Sequence, residues 1–138
     1  MPTTLREQLI RDEGCRLKPY RDQVGKLTIG VGRNLDDVGL SQTEADFLLD
    51  NDIQRATADV IARIPCAQHL DEVRRAVLIN MAFNLGIGGL LKFTKALDAV
   101  ARFEWDRAAE EMLDSKWAQQ VDHSATRRAD QMRTGEWR

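Results

Sequence analysis

The spacing of apolar residues predicts two helices in the first half of the chain. Thr4 and Glu7 form a capping box at the start of the first helix, and Gly14 marks its end. Its apolar side consists of Leu5, Leu9 and Ile10. A second capping box, Ser41 with Glu44, starts a helix that runs to about residue 62. The apolar side of that helix consists of Ala45, Leu48, Leu49, Ile53, Ala56 and Val60.

Between these helices the pattern changes to the two-residue period of strands. A first strand is predicted around residues 16–20, and a second over residues 26–32. In the second strand apolar residues alternate with Thr28, Gly30 and Gly32. The sequence DQVG, residues 22–25, provides the turn. Because glycines leave one face of this strand bare, another group can approach the backbone closely there.

The second half of the chain is predicted to be helical throughout. Residues 70–86 are apolar nearly all round in their later part, which is typical of a buried central helix, and GIGG at 86–89 breaks it. Shorter helices are predicted near 94–101, 105–114 and 124–133. We therefore expect one mainly helical α+β domain over residues 1–138. It would have a small lobe at about 14–45 with a short sheet, a long connecting helix, and a helical lobe at about 60–138 on which the first helix can pack.

Composition and charge exclude several classes of function. The net charge of −2 argues against a protein that binds nucleic acid through phosphate contacts. The two histidines and two cysteines lack metal-ligand spacing, so we expect no metal, no cofactor and two free thiols. No apolar segment is long enough to span a membrane, and the first residues lack the apolar centre of a secretory signal. We therefore expect synthesis in a cytoplasm and no stable membrane insertion.

Three polar residues near the predicted hairpin are candidates for a shared reaction. Glu13 falls close to the apolar side of the first helix and at its negative C-terminal end, and both features favour the protonated form of a carboxyl group. Asp22 begins the turn, and Thr28 lies on the bare face of the second strand. These residues would converge because a turn brings its ends together. Taken singly, each of the three is more often structural, so spacing alone leaves both interpretations open.

Several segments in the same order resemble the phage-type lysozymes, the T-even-like endolysins of glycoside hydrolase family twenty-four. DEGCRLKPYRD followed by LTIGVG is similar to the family's pattern of glutamate, aspartate and threonine. DEVRRAVLINMAFNLG, at 71–86, resembles its central helix. EWDRAA, SKW and RTGEW follow in the family's order, so the resemblance covers nearly the whole chain.

The resemblance implies a lysozyme-like fold and a muramidase for host cell lysis. Such an enzyme hydrolyses the β-1,4 bond between N-acetylmuramic acid and N-acetylglucosamine in peptidoglycan. By position, Glu13 takes the role of the general acid, Asp22 that of the carboxylate that orients or activates water, and Thr28 that of the hydroxyl that holds this water. The family inverts the anomeric centre, which requires carboxyl groups about 6.5–9.5 Å apart. Phe83 matches an aromatic residue that lines the family's cleft, and it can equally belong to the core.

The resemblance also sets expectations about partners. The glycan strands of peptidoglycan are the expected partner, the protein is expected to be a monomer, and a separate pore protein is expected to release it to the wall. Arg33 stands where the family usually has a histidine, so any ion pair of that histidine is either rebuilt or lost. Two alternatives remain open: a lytic transglycosylase, which needs no second carboxylate, and a wall-binding module without catalysis.

Overall fold

The computed structural model describes residues 1–121 and 123–138, and it is an α+β fold dominated by helices. The elements follow one another as α1 (Leu5–Glu13), β1 (Arg16–Arg21), β2 (Leu27–Gly30), β3 (Arg33–Asn34), α2 (Gln42–Arg63), a 3₁₀ turn (Pro65–His69), α3 (Glu72–Leu90), α4 (Thr94–Ala101), α5 (Trp105–Leu113), α6 (Lys116–Val121) and α7 (His123–Thr134). The predicted fold class is confirmed. The chain divides into two compact units, Met1–Leu48 and Leu49–Arg138.

The first unit contains a three-stranded antiparallel sheet in the order β1-β2-β3. Arg16 pairs with Gly30, and Tyr20 pairs with Thr28, with an irregularity in β1 between these two pairs. The predicted second strand is shorter than expected because Gly30 and Gly32 both have positive φ, which turns the chain into the unpredicted strand β3. Thr28 is the one buried residue of this unit, at 3% exposure. The alternation predicts Thr28 on an open face of the strand. This prediction is wrong, because Thr28 is buried.

Both predicted capping boxes lie at the start of a helix. The Thr4 hydroxyl accepts a hydrogen bond from the Glu7 N–H, and Gly14 ends α1 with a positive φ. At α2 the bonding is reciprocal: Glu44 N–H donates to the Ser41 hydroxyl, and Ser41 N–H donates to the Glu44 carboxylate. The apolar side of α1 is exposed, however, and α1 has no buried residue. Glu13 is exposed too, so the expected apolar environment for its carboxyl group is wrong.

The second unit holds the hydrophobic core around α3. Val77, Leu78 and Met81 of this helix are at most 2% exposed, and helices α4, α5 and α7 pack around the same cluster. This confirms the predicted central helix. The predicted break is also confirmed, because Gly86 has φ 73° and ψ 161° and interrupts the helical geometry. Helix α6 and the 3₁₀ turn were not predicted, since both are too short to show a helical period.

No single helix within residues 1–121 and 123–138 combines the length and apolar composition needed to cross a bilayer. Helices α3 and α4 reach that threshold only when they are counted together, and they are bent by 115° relative to each other.

Candidate active site

Glu13 and Asp22 line one hollow of about 590 Å³ in the first unit. Glu13 reaches it from the last residue of α1, and Asp22 from the residue that follows β1. The wall between them is completed by side chains of β1 and its turn, namely Arg16, Tyr20, Arg21, Gln23 and Val24, and by Asp12. The sheet and the end of α1 therefore bring the two predicted carboxylates to a shared, open surface.

The turn after β1 fixes Asp22. Its Oδ1 atom accepts hydrogen bonds from the backbone N–H groups of Val24, at 3.0 Å, and Lys26, at 2.8 Å. The Asp22 N–H also donates to the Lys26 carbonyl, at 2.9 Å. Among the described residues, no side-chain hydrogen bond is formed by Oδ2. One oxygen therefore holds the loop, and the other remains available to a water or a substrate.

Thr28 lies behind this surface rather than on it. The residues found around the hollow do not include Thr28, but its cross-strand partner Tyr20 is one of them. The Thr28 hydroxyl donates to the Lys26 carbonyl at 2.9 Å. Because its proton is engaged there, its oxygen can act only as an acceptor towards another group. Lys26 thus links both predicted residues, since its N–H binds Asp22 and its carbonyl binds Thr28.

The charges around the hollow are mixed. Asp12 is paired with Arg11 at 2.8 Å, so much of its charge is balanced outside the hollow. Arg21 donates to the Gly25 carbonyl, and Arg16 lies over the Tyr20 ring at 4.4 Å from its centroid. Arg16 and Tyr20 are not among the residues predicted from the sequence. The two-residue period of β1 gives no signal for them, because the strand is irregular between Arg16 and Tyr20 and because Arg21, on the opposite side by that period, also lines the hollow.

Arg33, which the family resemblance places where a histidine is usual, is paired within the first unit. Its guanidinium binds the Glu44 carboxylate through two bonds, of 2.8 Å and 2.7 Å, and also donates to the Gly39 carbonyl. The Arg33 hydrogen bond, followed by the N–H and hydroxyl of Ser41, lowers the pKa of Glu44 to about 2. This pair joins β3 to the start of α2.

Phe83 lies in the second unit, on α3, three residues before the break at Gly86. Its side chain is 49% exposed, which excludes the interpretation as a buried core residue. It borders a polar hollow of about 280 Å³ together with Asp52, Arg55 and Asp59. Within the described part of the chain, no group of three or more histidine, cysteine, aspartate or glutamate residues is arranged to hold a metal ion.

Comparison with known proteins points to one family. The profile of the family described as phage lysozyme matches residues 11–131. The probable T4-type lysozyme 1 of Dictyostelium discoideum is 26% identical over 164 residues, which cover 98% of this chain and 96% of that protein. The pre-baseplate central spike protein Gp5 of Enterobacteria phage T4 is 30% identical over 152 residues, covering 90% of this chain but 26% of that protein. The SAR-endolysin of Escherichia phage Mu is 33% identical over 94 residues, which cover 64% of this chain and 53% of that protein.

Proposed function

This chain belongs to the phage lysozyme family and is therefore a lysozyme, a glycoside hydrolase that acts on peptidoglycan, and we propose which of its residues act. Glu13, Asp22 and Thr28 each perform one part of the hydrolysis of the β-1,4 bond. Glu13 is the general acid that protonates the leaving sugar oxygen. Asp22 and Thr28 handle the water that attacks the opposite face of the N-acetylmuramic acid ring, which inverts the anomeric centre. The observation that carries this proposal is the position of Glu13 and Asp22 on one hollow.

The hydrogen bonding of Asp22 supports its role with water. Oδ1 is held by two backbone N–H groups, so the carboxylate is fixed in orientation before substrate binds. Oδ2 can then accept a proton from the attacking water. The role proposed for Thr28 rests on the family resemblance: its oxygen can still accept a hydrogen bond from this water, because its own proton goes to the Lys26 carbonyl, but the residue is 3% exposed and does not line the hollow.

Three variants test the proposal, and each replaces one carboxyl group by an amide. Glu13→Gln should lose at least about 10²-fold in kcat, because an amide cannot donate the required proton. Asp22→Asn should lose a similar amount. Asp12→Asn is the matched control, since Asp12 lines the same hollow and is the residue next to Glu13, yet has no role in the mechanism. It should keep nearly full activity. A Glu13→Gln variant within tenfold of the unmodified enzyme would remove Glu13 from the mechanism.

The products distinguish this reaction from the alternatives. Digestion of purified peptidoglycan in ¹⁸O-labelled water should yield reducing ends that carry one labelled oxygen, and NMR at early times should show the inverted α-anomer. A 1,6-anhydro product without label would indicate a lytic transglycosylase. Binding to the wall without any new reducing ends would indicate a module that only binds.

We also propose Phe83 as a sugar contact in the second unit. An exposed aromatic ring beside carboxylates and an arginine is suited to stack on a sugar ring while its hydroxyls are hydrogen-bonded. Phe83→Ala should then raise KM several-fold with little change in kcat. An unchanged KM would exclude this contact.

Further proposals about cellular context and oligomeric state follow from the family resemblance. The protein is made in the cytoplasm of a bacterial host. It acts as a monomer, and light scattering after gel filtration tests this oligomeric state. It reaches the wall through a pore made by a separate membrane protein, and so lyses the host. Expression with and without a pore-forming protein tests this, because lysis in the absence of a pore would contradict the proposal.

A further inference from the structure

Gly32 lies directly against the side chain of Glu13. A Cβ atom at position 32 would be 3.3 Å from Glu13 Oε2 and 3.5 Å from both Cδ and Cγ. We propose that Gly32 is a positioning residue for Glu13: the missing side chain leaves the space that the carboxyl group occupies. This inference rests on the proposed role of Glu13 as the general acid.

Backbone conformation alone does not explain this glycine. Gly30 and Gly32 have nearly the same φ, +66° and +67°, which a residue with a Cβ atom adopts only with strain. Yet a Cβ atom at Gly30 would have no neighbour within 4 Å. The two positions therefore share the backbone requirement and differ in the contact with Glu13. Gly30 is a matched control within the same turn.

The contact matters because little else restrains Glu13. The residue is exposed, and within residues 1–121 and 123–138 no group forms a hydrogen bond or an ion pair with its carboxyl group. The backbone at Gly32 is thus a wall that limits where Oε2 can lie. At 3.3 Å an added methyl group would displace the carboxyl group by a few tenths of an ångström. A misplacement of about 1 Å can cost about 10²-fold in rate. If the logarithm of this loss scales with the displacement, a shift of a few tenths of an ångström should lower the rate about fourfold.

The first test measures kcat and KM for Gly30→Ala, Gly32→Ala and Glu13→Gln on soluble peptidoglycan fragments. Gly32→Ala should have a kcat about fourfold below that of Gly30→Ala, with the same KM, because the substrate still binds but the acid is misplaced. If Glu13→Gln is inactive and the two alanine variants have equal kcat, the positioning role is wrong while the proposed function stands. If Glu13→Gln is active, the proposed function itself fails.

A second test does not depend on activity. Crystal structures of the two alanine variants, compared with the unmodified protein, should show the Glu13 carboxyl group shifted by a few tenths of an ångström in Gly32→Ala and unmoved in Gly30→Ala. An unmoved Glu13 carboxyl group in Gly32→Ala would overturn the contact. If the alanine variants do not fold, Gly30→Asn and Gly32→Asn replace them in both tests, because asparagine tolerates positive φ.

Discussion

Replacing Arg74 by methionine should destabilise the second unit strongly. Its guanidinium donates to the Met132 carbonyl at 2.6 Å and to the Arg133 carbonyl at 2.9 Å, two acceptors in the last turn of α7 that have no partner within that helix. It also lies 4.1 Å from the centroid of the Trp105 ring, at the start of α5. One side chain therefore connects α3, α5 and α7.

The cost follows from these contacts. Each bond from a charged donor contributes about 1.5 kcal/mol at the lower end of its range, a conservative value for a side chain that is only 15% exposed. The stacking on Trp105 adds about 0.5 kcal/mol. Methionine keeps the length of the side chain and some of the packing, so packing adds little further loss and we expect a total of about 3.5 kcal/mol. For a chain of 138 residues this lowers the melting temperature by roughly 10 °C.

Thermal unfolding followed by circular dichroism, with urea titration for the free energy of unfolding, measures this loss. Arg102→Met is the control, because Arg102 is 65% exposed and its ion pair with Asp98 lies on the surface. It should change the free energy of unfolding by less than about 0.5 kcal/mol. If Arg74→Met destabilised the protein no more than Arg102→Met does, the capping of α7 by Arg74 would contribute nothing and the reasoning would be refuted.

Three other predictions concern the first unit and the thiols. Asp22→Asn should keep the melting temperature, because an amide oxygen can accept the same two N–H bonds, whereas Asp22→Ala should lose about 1–2 kcal/mol by urea titration. The pKa of Glu44 is lowered from 4.5 to about 2, chiefly by Arg33. The ionised carboxylate therefore stabilises the folded protein at pH values above 4.5, and this stabilisation is lost as the pH falls from 4.5 towards 2. The melting temperature should therefore fall more steeply between about pH 5 and about pH 3 in the unmodified protein than in Glu44→Gln, and equal slopes would contradict this. Cys15 is exposed, whereas burial raises the pKa of the Cys66 thiol, so a maleimide at neutral pH should label Cys15 first; peptide mapping that finds Cys66 labelled first would reverse this order.

The sequence predicts the helices better than it predicts the site. Capping boxes and glycine stops are local signals, so the starts of α1 and α2 and the break at Gly86 follow from a few neighbouring residues. Helix α6 is six residues long, less than two turns, and leaves no periodic trace. The extent of β2 also escaped prediction, because alternation continues past Gly30 while the positive φ of Gly30 and Gly32 turns the backbone.

The surroundings of each site residue depend on tertiary structure. Alternation correctly separates Thr28 from Leu27 and Ile29, but it cannot say which side of a strand is covered, and Thr28 is on the covered side. The helical wheel likewise places Glu13 near apolar residues without showing that they are exposed. The prediction that glycines allow a close approach holds at Gly32, but only the structure identifies Glu13 as the group that approaches.

The two hydrogen bonds that Asp22 Oδ1 accepts affect how related sequences should be interpreted. An aspartate that holds a turn is retained by selection for folding, even in a chain that no longer cleaves glycans. Its presence in a homologue is therefore weak evidence of enzymatic activity. Glu13 forms no hydrogen bond or ion pair among the described residues, so under the proposed function its retention would reflect catalysis rather than folding. When active and inactive members of the family are sorted by sequence, the glutamate should carry more weight than the aspartate.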